Sequence, residues 1–260
     1  MNAHADVLLV EDNEINQLVA RQILKKAGYS CEVSSSGEDA LRRLEQETYR
    51  LILMDVQMPG MDGIETTRRI RSFSDDQPNA HIPIIAMTAY TTSEDRSNCS
   101  TAGMNDYITK PLNLDGFVAT VKRYLEHDSE AESQPPADDA STPRADARVF
   151  DLNDALSRTR NDRQLVGRAV RMFLDSADER IHSLSAASAH GEYHQVADLA
   201  HNLQGAALNV SAVQVAAIAT DIEHEAREHN PKALRSSVKR LESALTQFRD
   251  VVAAHELSQD

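Results

Sequence analysis

The sequence predicts two domains of different fold class, an α/β domain with a doubly wound, five-stranded parallel sheet and an all-α domain built as a four-helix bundle. Three observations lead to this prediction. In the first half of the chain, short apolar runs alternate with longer amphipathic ones. A stretch without large apolar residues follows. After that stretch, apolar residues recur only at spacings of three or four. The 260 residues suffice for two domains of ordinary size.

Five short apolar runs in the first half read as strands. The first, third and fourth are apolar along nearly their whole length, as expected for parallel strands buried on both faces. The predicted strands cover residues 6–10, 31–34, 50–55, 82–88 and 106–110. Helix-period segments lie between and after them, at residues 15–27, 37–48, 63–72, 93–102 and 114–125.

Residues 126–148, "EHDSEAESQPPADDASTPRADAR", separate the two domains. This segment has no Val, Ile, Leu, Met, Phe, Tyr or Trp with which to build a core, and it carries seven acidic residues and three prolines. We expect a disordered acidic linker at 126–148, between an α/β domain at 1–125 and a helical domain at 149–260.

The helical domain is predicted from four apolar stripes. The connections are expected at 190–191, 209–211 and 229–231, with a further short helix near 152–156. The segment "DIEHEAREHN" (221–230) is expected to be a solvated charged face. The stripes comprise Val166, Val170, Phe173, Ala177, Ile181 and Leu184; Val196, Leu199, Leu203, Ala206 and Val210; Val213, Ala217, Ile222 and Ala226; and Leu234, Val238, Leu241, Leu245, Phe248 and Val252.

The charge balance argues against several classes of partner. With 27 Lys and Arg against 41 Asp and Glu, the net charge is −14, which repels phosphate backbones and anionic lipids. No run of about 18 apolar residues could span a membrane, and the first residues do not resemble a signal peptide. We therefore expect a cytoplasmic protein with no nucleic-acid partner and no membrane insertion.

Polar residues cluster at the carboxyl ends of the predicted strands, where doubly wound sheets bind ligands. Glu11 and Asp12 follow the first strand, Asp55 ends the third, Thr88 the fourth and Lys110 the fifth. Three converging carboxylates require a cation, and hard oxygen ligands suit Mg²⁺. A carboxylate beside Mg²⁺ and a lysine is a plausible nucleophile toward phosphorus. The alternative is that Asp12 and Asp55 only cap the helices that follow.

These residues also carry a family resemblance. The segments "LLVEDNEINQLVA", "LILMDVQMPGMDGIETTRRIR", "IPIIAMTA" and "GMNDYITKPL" resemble the receiver domains of two-component response regulators, which have a flavodoxin-like fold. The resemblance implies that Asp55 is the phosphoacceptor and that Mg²⁺ is bound by Glu11, Asp12, Asp55 and the backbone carbonyl of Gln57.

The same resemblance implies further roles at the strand ends. Thr88 and Lys110 would hold the phosphoryl group, and the Lys110–Pro111 peptide bond would be cis. Tyr107 would be the family's switch aromatic; alternatively, it is a half-buried tyrosine on an edge strand.

The segment "LAHNLQGAALNVSA" (199–212) raises a second site. On a helix, His201 lies about 200° from Leu199 and Leu203, so it is expected to point away from the bundle core, with Gln204 and Gly205 on the same outward face. A mid-helix glycine costs about 1 kcal/mol relative to alanine. Gly205 either lets a second active site approach the imidazole, or is simply tolerated beside a solvent-facing histidine.

The helical region resembles a histidine-containing phosphotransfer (HPt) domain over about residues 150–254. His201 and Gly205 match that family's His-x-x-Lys-Gly motif, which implies that His201 is phosphorylated. Gln204 departs from the motif, because an amide donates a hydrogen bond without the charge that lysine brings.

The sequence thus predicts a phosphorelay protein. Asp55 would accept a phosphoryl group from the phosphohistidine of a sensor histidine kinase, and His201 would relay it to or from the aspartate of a downstream response-regulator receiver. The 260 residues contain no ATP-binding domain, so the chain is not expected to be a free-standing enzyme. Two alternatives stay open: the C-terminal receiver–HPt part of a hybrid histidine kinase, and a receiver-switched binding module with a silent HPt domain.

Overall fold

A computed structural model describes residues 5–89, 93–126 and 149–255 of the chain. It contains the predicted α/β domain followed by the predicted helical domain, so the fold class is confirmed for both. The acidic linker predicted at 126–148 lies outside the described residues except for Glu126, which ends a helix.

The α/β domain is built on one parallel sheet with the strand order β2-β1-β3-β4-β5. The three central strands are buried along their whole length, which explains why they read as unbroken apolar runs. The strands are β1 (Val7–Val10), β2 (Cys31–Ser34), β3 (Leu51–Asp55), β4 (Ile84–Thr88) and β5 (Asp106–Thr109).

Helices cover both faces of the sheet. One apolar cluster lies under α1 and α5 and the other under α2, α3 and α4. The helices are α1 (Glu14–Ala27), α2 (Gly37–Leu44), α3 (Gly63–Arg71), α4 (Ser93–Ala102) and α5 (Leu114–Glu126).

Helix α2 ends four residues before its predicted end at Thr48. The side chain of Asn79 donates hydrogen bonds of 2.7 Å to the carbonyl oxygens of Leu44 and Glu47. Because a side chain from elsewhere in the fold occupies these carbonyls, the chain leaves the helix there and turns toward β3.

The helical domain consists of α6 (Leu152–Arg158), α7 (Arg163–His190), α8 (Tyr193–Asn209), α9 (Val213–Arg227) and α10 (Pro231–Ala254). The predicted stripes of α7, α8 and α10 all join one apolar core. The stripe predicted for α9 was partly wrong, because Val213 is only half-buried and Ala217 is exposed. The buried face of α9 instead runs through Val215, Ile218, Ala219, Ile222 and Ala226.

The two domains contact each other through α1, which packs against α7 and α8. Ile15 of α1 is 1% exposed and belongs to the apolar cluster of the bundle, against which Leu18 also packs. Three polar contacts surround this apolar contact: Lys26 to Asp162, Arg160 to Asp115, and the Asn209 amide to the Asn16 side-chain oxygen, each 2.6 Å long. In the described ranges, no helix is both long and apolar enough to cross a bilayer.

Candidate functional site

Three carboxylates meet at the carboxyl end of the sheet. Glu11 and Asp12 follow β1, Asp55 ends β3, and one carboxylate oxygen from each lies within 4.8 Å of the others. These strands are neighbours, so the chain topology alone brings their ends together. The alternative that Asp12 and Asp55 are helix caps is wrong, since Asn13 caps α1 and Asp62 caps α3.

Lys110 lies among these carboxylates. Its ammonium nitrogen is 2.7 Å from Oε2 of Glu11 and 2.7 Å from Oδ2 of Asp55, and its side chain is 5% exposed. Burial opposes the ammonium charge, but the carboxylates of Asp55 and Glu11 outweigh this effect and raise the pKa of Lys110. The peptide bond that follows, Lys110–Pro111, is cis.

The carboxylates carry more negative charge than one lysine balances. Burial, with the neighbouring charge of Glu11, raises the pKa of Asp55 well above its usual range and raises that of Asp12 as well. The two raised pKa values have the same cause. A buried group of carboxylates is stable in its charged form only where enough positive charge lies beside it. A divalent cation would supply that charge.

The other predicted residues of this cleft lie around Asp55. Thr88 is buried at the end of β4, next to β3. The backbone N–H of Gln57 donates to Oδ1 of Asp55 over 3.2 Å. Tyr107 is half-buried on β5, at the sheet edge, and its ring lies 4.7 Å from the guanidinium carbon of Arg96 on α4. The tyrosine therefore contacts the helix that follows β4.

His201 lies on α8, outside the apolar core of the bundle. Its side chain is only 12% exposed, so the alternative of a solvent-facing imidazole is wrong, while the expected direction away from the bundle core holds. Nδ1 is 3.4 Å from Oε2 of Glu223, whose other oxygen accepts a 2.7 Å bond from Arg227. Since a carboxylate only accepts hydrogen bonds, the contact favours the tautomer that carries its proton on Nδ1 and its lone pair on Nε2.

Gln204 and Gly205 do not share one outward face. The amide nitrogen of Gln204 donates to the hydroxyl of Thr220 on α9 over 2.7 Å, so this side chain is held against α9. Gly205 is buried, and a Cβ atom placed there would lie 3.4 Å from Nδ2 of Asn16 on α1. The glycine therefore lies where the α/β domain packs against α8.

A hydrogen-bond chain joins the two sites. Nδ2 of Asn202, the residue after His201, donates to Oδ2 of Asp12 over 2.6 Å. Oδ1 of Asn202 accepts hydrogen bonds from Nδ2 of Asn13 (2.8 Å) and from Nη1 of Arg180 on α7 (2.6 Å). The turn of α8 that carries His201 thus lies against the carboxylate cluster.

Sequence reasoning missed three of these residues. Glu223 lies in the segment expected to be a solvated charged face, yet it is 3% exposed. Its spacing, four residues after Ala219 and three before Ala226 on the buried face, was the available signal. Nothing in the sequence marks Asn202 or Arg180, because their contacts depend on how the two domains pack.

Two family models match the chain. The response regulator receiver domain matches residues 7–122, and the Hpt domain matches residues 168–251. The two matches correspond to the α/β domain and to the helical bundle.

Individual relatives agree with this division. The sensor histidine kinase GacS of Pseudomonas protegens is 27% identical over 227 residues, which cover 87% of this chain and 25% of GacS. The response regulator DivK of Brucella ovis is 37% identical over 119 residues, which cover 46% of this chain and 94% of DivK. The chain spans only 15 to 25% of the length of three histidine kinases that it matches, one from Oryza sativa and two GacS proteins from Pseudomonas.

Among solved structures, the receiver domain of the sensor histidine kinase PA1611 from Pseudomonas aeruginosa PAO1, with magnesium coordinated in its active-site cleft, is 38% identical. It covers 48% of this chain and 100% of its own, with a TM-score of 0.44.

The receiver and Hpt domains are both phosphotransfer modules, and the match to GacS covers enough of this chain to extend over both of them. The chain therefore belongs to the response-regulator receiver family over residues 7–122, and the Hpt domain matches the helical region that follows.

Proposed function

We propose that this chain carries two successive acceptors of a phosphorelay, Asp55 in the receiver domain and His201 in the HPt domain. The observation that carries the proposal is the 2.6 Å bond from Asn202 to Asp12, since it joins the residue beside the histidine to the cluster that contains the aspartate. The partners are a sensor histidine kinase that donates the phosphoryl group and a response regulator that receives it.

In the first transfer, an oxygen of the Asp55 carboxylate attacks phosphorus on a partner's phosphohistidine. The P–N bond breaks, its electron pair stays on the imidazole, and a P–O bond forms. Lys110 is already bound to Asp55 and offers its charge to the phosphoryl oxygens. Catalysis of this kind consists mainly of positioning and charge neutralisation.

In the second transfer, Nε2 of His201 attacks the phosphorus on Asp55. The P–O bond breaks, its electron pair returns to the carboxylate, and a P–N bond forms. The imidazole becomes positively charged as this bond forms, and Glu223 faces its Nδ1–H. We propose that this buried carboxylate stabilises the charged ring.

Mg²⁺ is the cofactor that fits this site. The three carboxylates offer hard oxygen ligands within 4.8 Å of one another, and the raised pKa values of Asp55 and Asp12 indicate a deficit of positive charge. Glu11, Asp12, Asp55 and the backbone carbonyl of Gln57 would hold the ion. When bound, it neutralises charge on the phosphoryl oxygens. Thr88 would contribute its hydroxyl to the same oxygens, and Tyr107 would respond as the switch residue.

The test is to supply a labelled small-molecule phosphodonor and follow the chemical stability of the label. Wild type is expected to form an acid-stable, base-labile aspartyl phosphate and then an acid-labile, base-stable phosphohistidine. Asp55→Asn should lose both labels, whereas His201→Gln should keep only the first. Persistence of the base-labile label in Asp55→Asn would refute the assignment of Asp55.

Two related hypotheses remain beside this proposal, and the same experiment distinguishes the second of them from it. The similarity to GacS across both domains favours a receiver–HPt part of a hybrid histidine kinase, in which the same two residues act. Gln204, an uncharged residue bound to Thr220, favours instead a binding module whose HPt domain is silent. Absence of acid-labile label in wild type, even with a phosphorylated receiver as donor, would favour the binding module.

A further inference from the structure

Arg180 lies at the contact between the two domains, although it belongs to neither sequence motif. It extends from α7 and is half-buried, and its Nη1 donates a 2.6 Å hydrogen bond to Oδ1 of Asn202. Asp12 and Glu14 of the receiver domain are among the carboxylates whose charge acts on it. Arginine keeps its charge in proteins, so a cation lies beside the carboxylate cluster.

In the HPt motif a lysine at position 204 would supply positive charge near the phosphoryl group, but this chain has Gln204 there. Position 204 carries an amide, and its nitrogen is bound to Thr220 on α9. The other polar atom of that amide, Oε1, is buried without a hydrogen-bond partner among the described residues. Gln204 therefore adds neither charge nor a side-chain hydrogen bond to the receiver domain in the part of the chain that the structure describes.

We propose that Arg180 is the positioning residue that holds Asn202 against Asp12 and brings to the transfer site the positive charge that position 204 lacks. This inference rests on the proposed function, because it assigns Arg180 a role in transfer between Asp55 and His201. The guanidinium binds Oδ1 of Asn202, which leaves Nδ2 of the same amide to donate to Asp12. Through this one contact, Arg180 orients the side-chain amide of Asn202 and places a positive charge beside it.

The physical reason lies in the charge of the transferred group. As the P–O bond to Asp55 breaks and the P–N bond to His201 forms, negative charge spreads over the three other phosphoryl oxygens, while the electron pair of the broken bond returns to Asp55. A cation that is already fixed in a site shielded from water stabilises such charge more than a solvated one. Hydrogen bonds that involve a charged group are also roughly twice as strong as neutral ones.

The experiment follows the appearance of acid-labile label on His201 after Asp55 has been loaded with acetyl phosphate, using the full chain. Arg180→Gln keeps a hydrogen-bond donor but removes the charge, and we expect transfer to slow about tenfold, equivalent to about 1.4 kcal/mol. Loading of Asp55 is measured in the same samples, and the transfer rate is expressed per loaded Asp55. Arg180→Lys should retain part of the rate, because it keeps the charge but loses the planar donor geometry.

The decisive variant removes the positive charge at position 180 and places one at position 204. Adding Gln204→Lys to Arg180→Gln should restore most of the transfer rate, which a purely structural role of Arg180 would not allow. Arg168→Gln, an exposed arginine of the same helix, is the matched control and should transfer at the wild-type rate.

The outcomes distinguish this inference from the proposed function. If wild type forms no phosphohistidine, the proposed function is wrong and the role of Arg180 falls with it. If wild type forms phosphohistidine and Arg180→Gln does so at the same rate, only the role of Arg180 is refuted. A slowed Arg180→Gln that neither Arg180→Lys nor the added Gln204→Lys improves also refutes it, because charge is then not what the arginine contributes.

Discussion

The orientation of the His201 imidazole depends on one buried carboxylate. Glu223 faces Nδ1 at 3.4 Å and is itself held by Arg227, so the ring is supported by a pair whose far member reaches solvent. An imidazole with its Nδ1 proton held in this way presents Nε2 as the nucleophile.

We therefore expect Glu223→Ala to mix the two tautomers of His201 and to slow phosphohistidine formation several-fold. Nitrogen chemical shifts of the imidazole report the tautomer directly, and the labelling assay reports the rate. Glu228→Ala is the matched control, since Glu228 is exposed near the end of the same helix and contacts His224 instead. A wild-type tautomer and rate in Glu223→Ala would contradict this role.

Gly205 lies in the contact between α1 and α8. A Cβ atom at this position would make an ordinary contact of 3.4 Å with Asn16. We expect Gly205→Ala to leave the domains docked and to raise the free energy of unfolding by up to about 1 kcal/mol, because alanine favours the helix.

Gly205→Leu, by contrast, should force the two helices apart, which hydrogen exchange of the α1 amides would detect as faster exchange. Ala217→Leu, on the exposed side of α9, is the control and should leave α1 exchange unchanged. If Gly205→Leu also left the exchange of the α1 amides unchanged, α1 and α8 would not pack in solution as described.

Among the elements, the junction of β3 with α3 does most to position Asp55. Gly63 opens α3, and a Cβ atom there would lie 2.1 Å from the backbone oxygen of Asp55. Such an overlap with backbone cannot be relieved by a side-chain rotation, so helix and strand would have to separate.

We expect Gly63→Ala to destabilise the receiver domain by about 1–3 kcal/mol and to impair phosphorylation of Asp55. Thermal unfolding and acetyl phosphate labelling measure the two effects. Gly116→Ala is the control, because Gly116 lies in α5 with open space around it, and it should be neutral or stabilising. An unaltered melting temperature in Gly63→Ala would show that the junction is looser than described.

The elements were predicted from sequence more completely than their ends. Every strand and helix was anticipated where the structure describes one, because buried strands and amphipathic helices each have a characteristic spacing of apolar residues. The end of α2 was misplaced because Asn79, 35 residues away from Leu44, determines it. The buried face of α9 was misassigned because alanines occur on more than one face of this helix, so the spacing of apolar residues does not single out one face.

At the scale of the whole molecule, the transfer that we propose from Asp55 to His201 depends on the contact between the two domains. Ile15 belongs to the receiver helix α1, yet it is buried in the apolar cluster of the bundle. A docked pair of domains gives the two sites an effective concentration that free collision between chains does not reach at ordinary protein concentration.

We expect transfer in wild type to proceed at a rate independent of protein concentration. Ile15→Asp should slow it and make it concentration-dependent, because a carboxylate in this apolar contact separates the domains. The change is compatible with the helix itself, since acidic residues are favoured in the first turn. Dilution series of the labelling assay measure the difference.

Arg21→Asp, an exposed position on the same helix, is the matched control and should keep the wild-type behaviour. A concentration-independent rate in Ile15→Asp would show that this contact does not carry the transfer, and a concentration-dependent rate in wild type would show that transfer runs between chains.

The sequence by itself determined the fold class of both domains and the convergence of Glu11, Asp12, Asp55 and Lys110 at one end of the sheet. Both follow from local rules: apolar spacing specifies each element, and parallel strands place their carboxyl ends together. Only the tertiary structure decided that Glu223 backs the histidine, that Asn202 contacts Asp12, and that Arg180 lies beside them. The residues of the Asn202–Asp12 pair are 190 positions apart, and no local pattern encodes a contact that exists only once two independently patterned domains pack together.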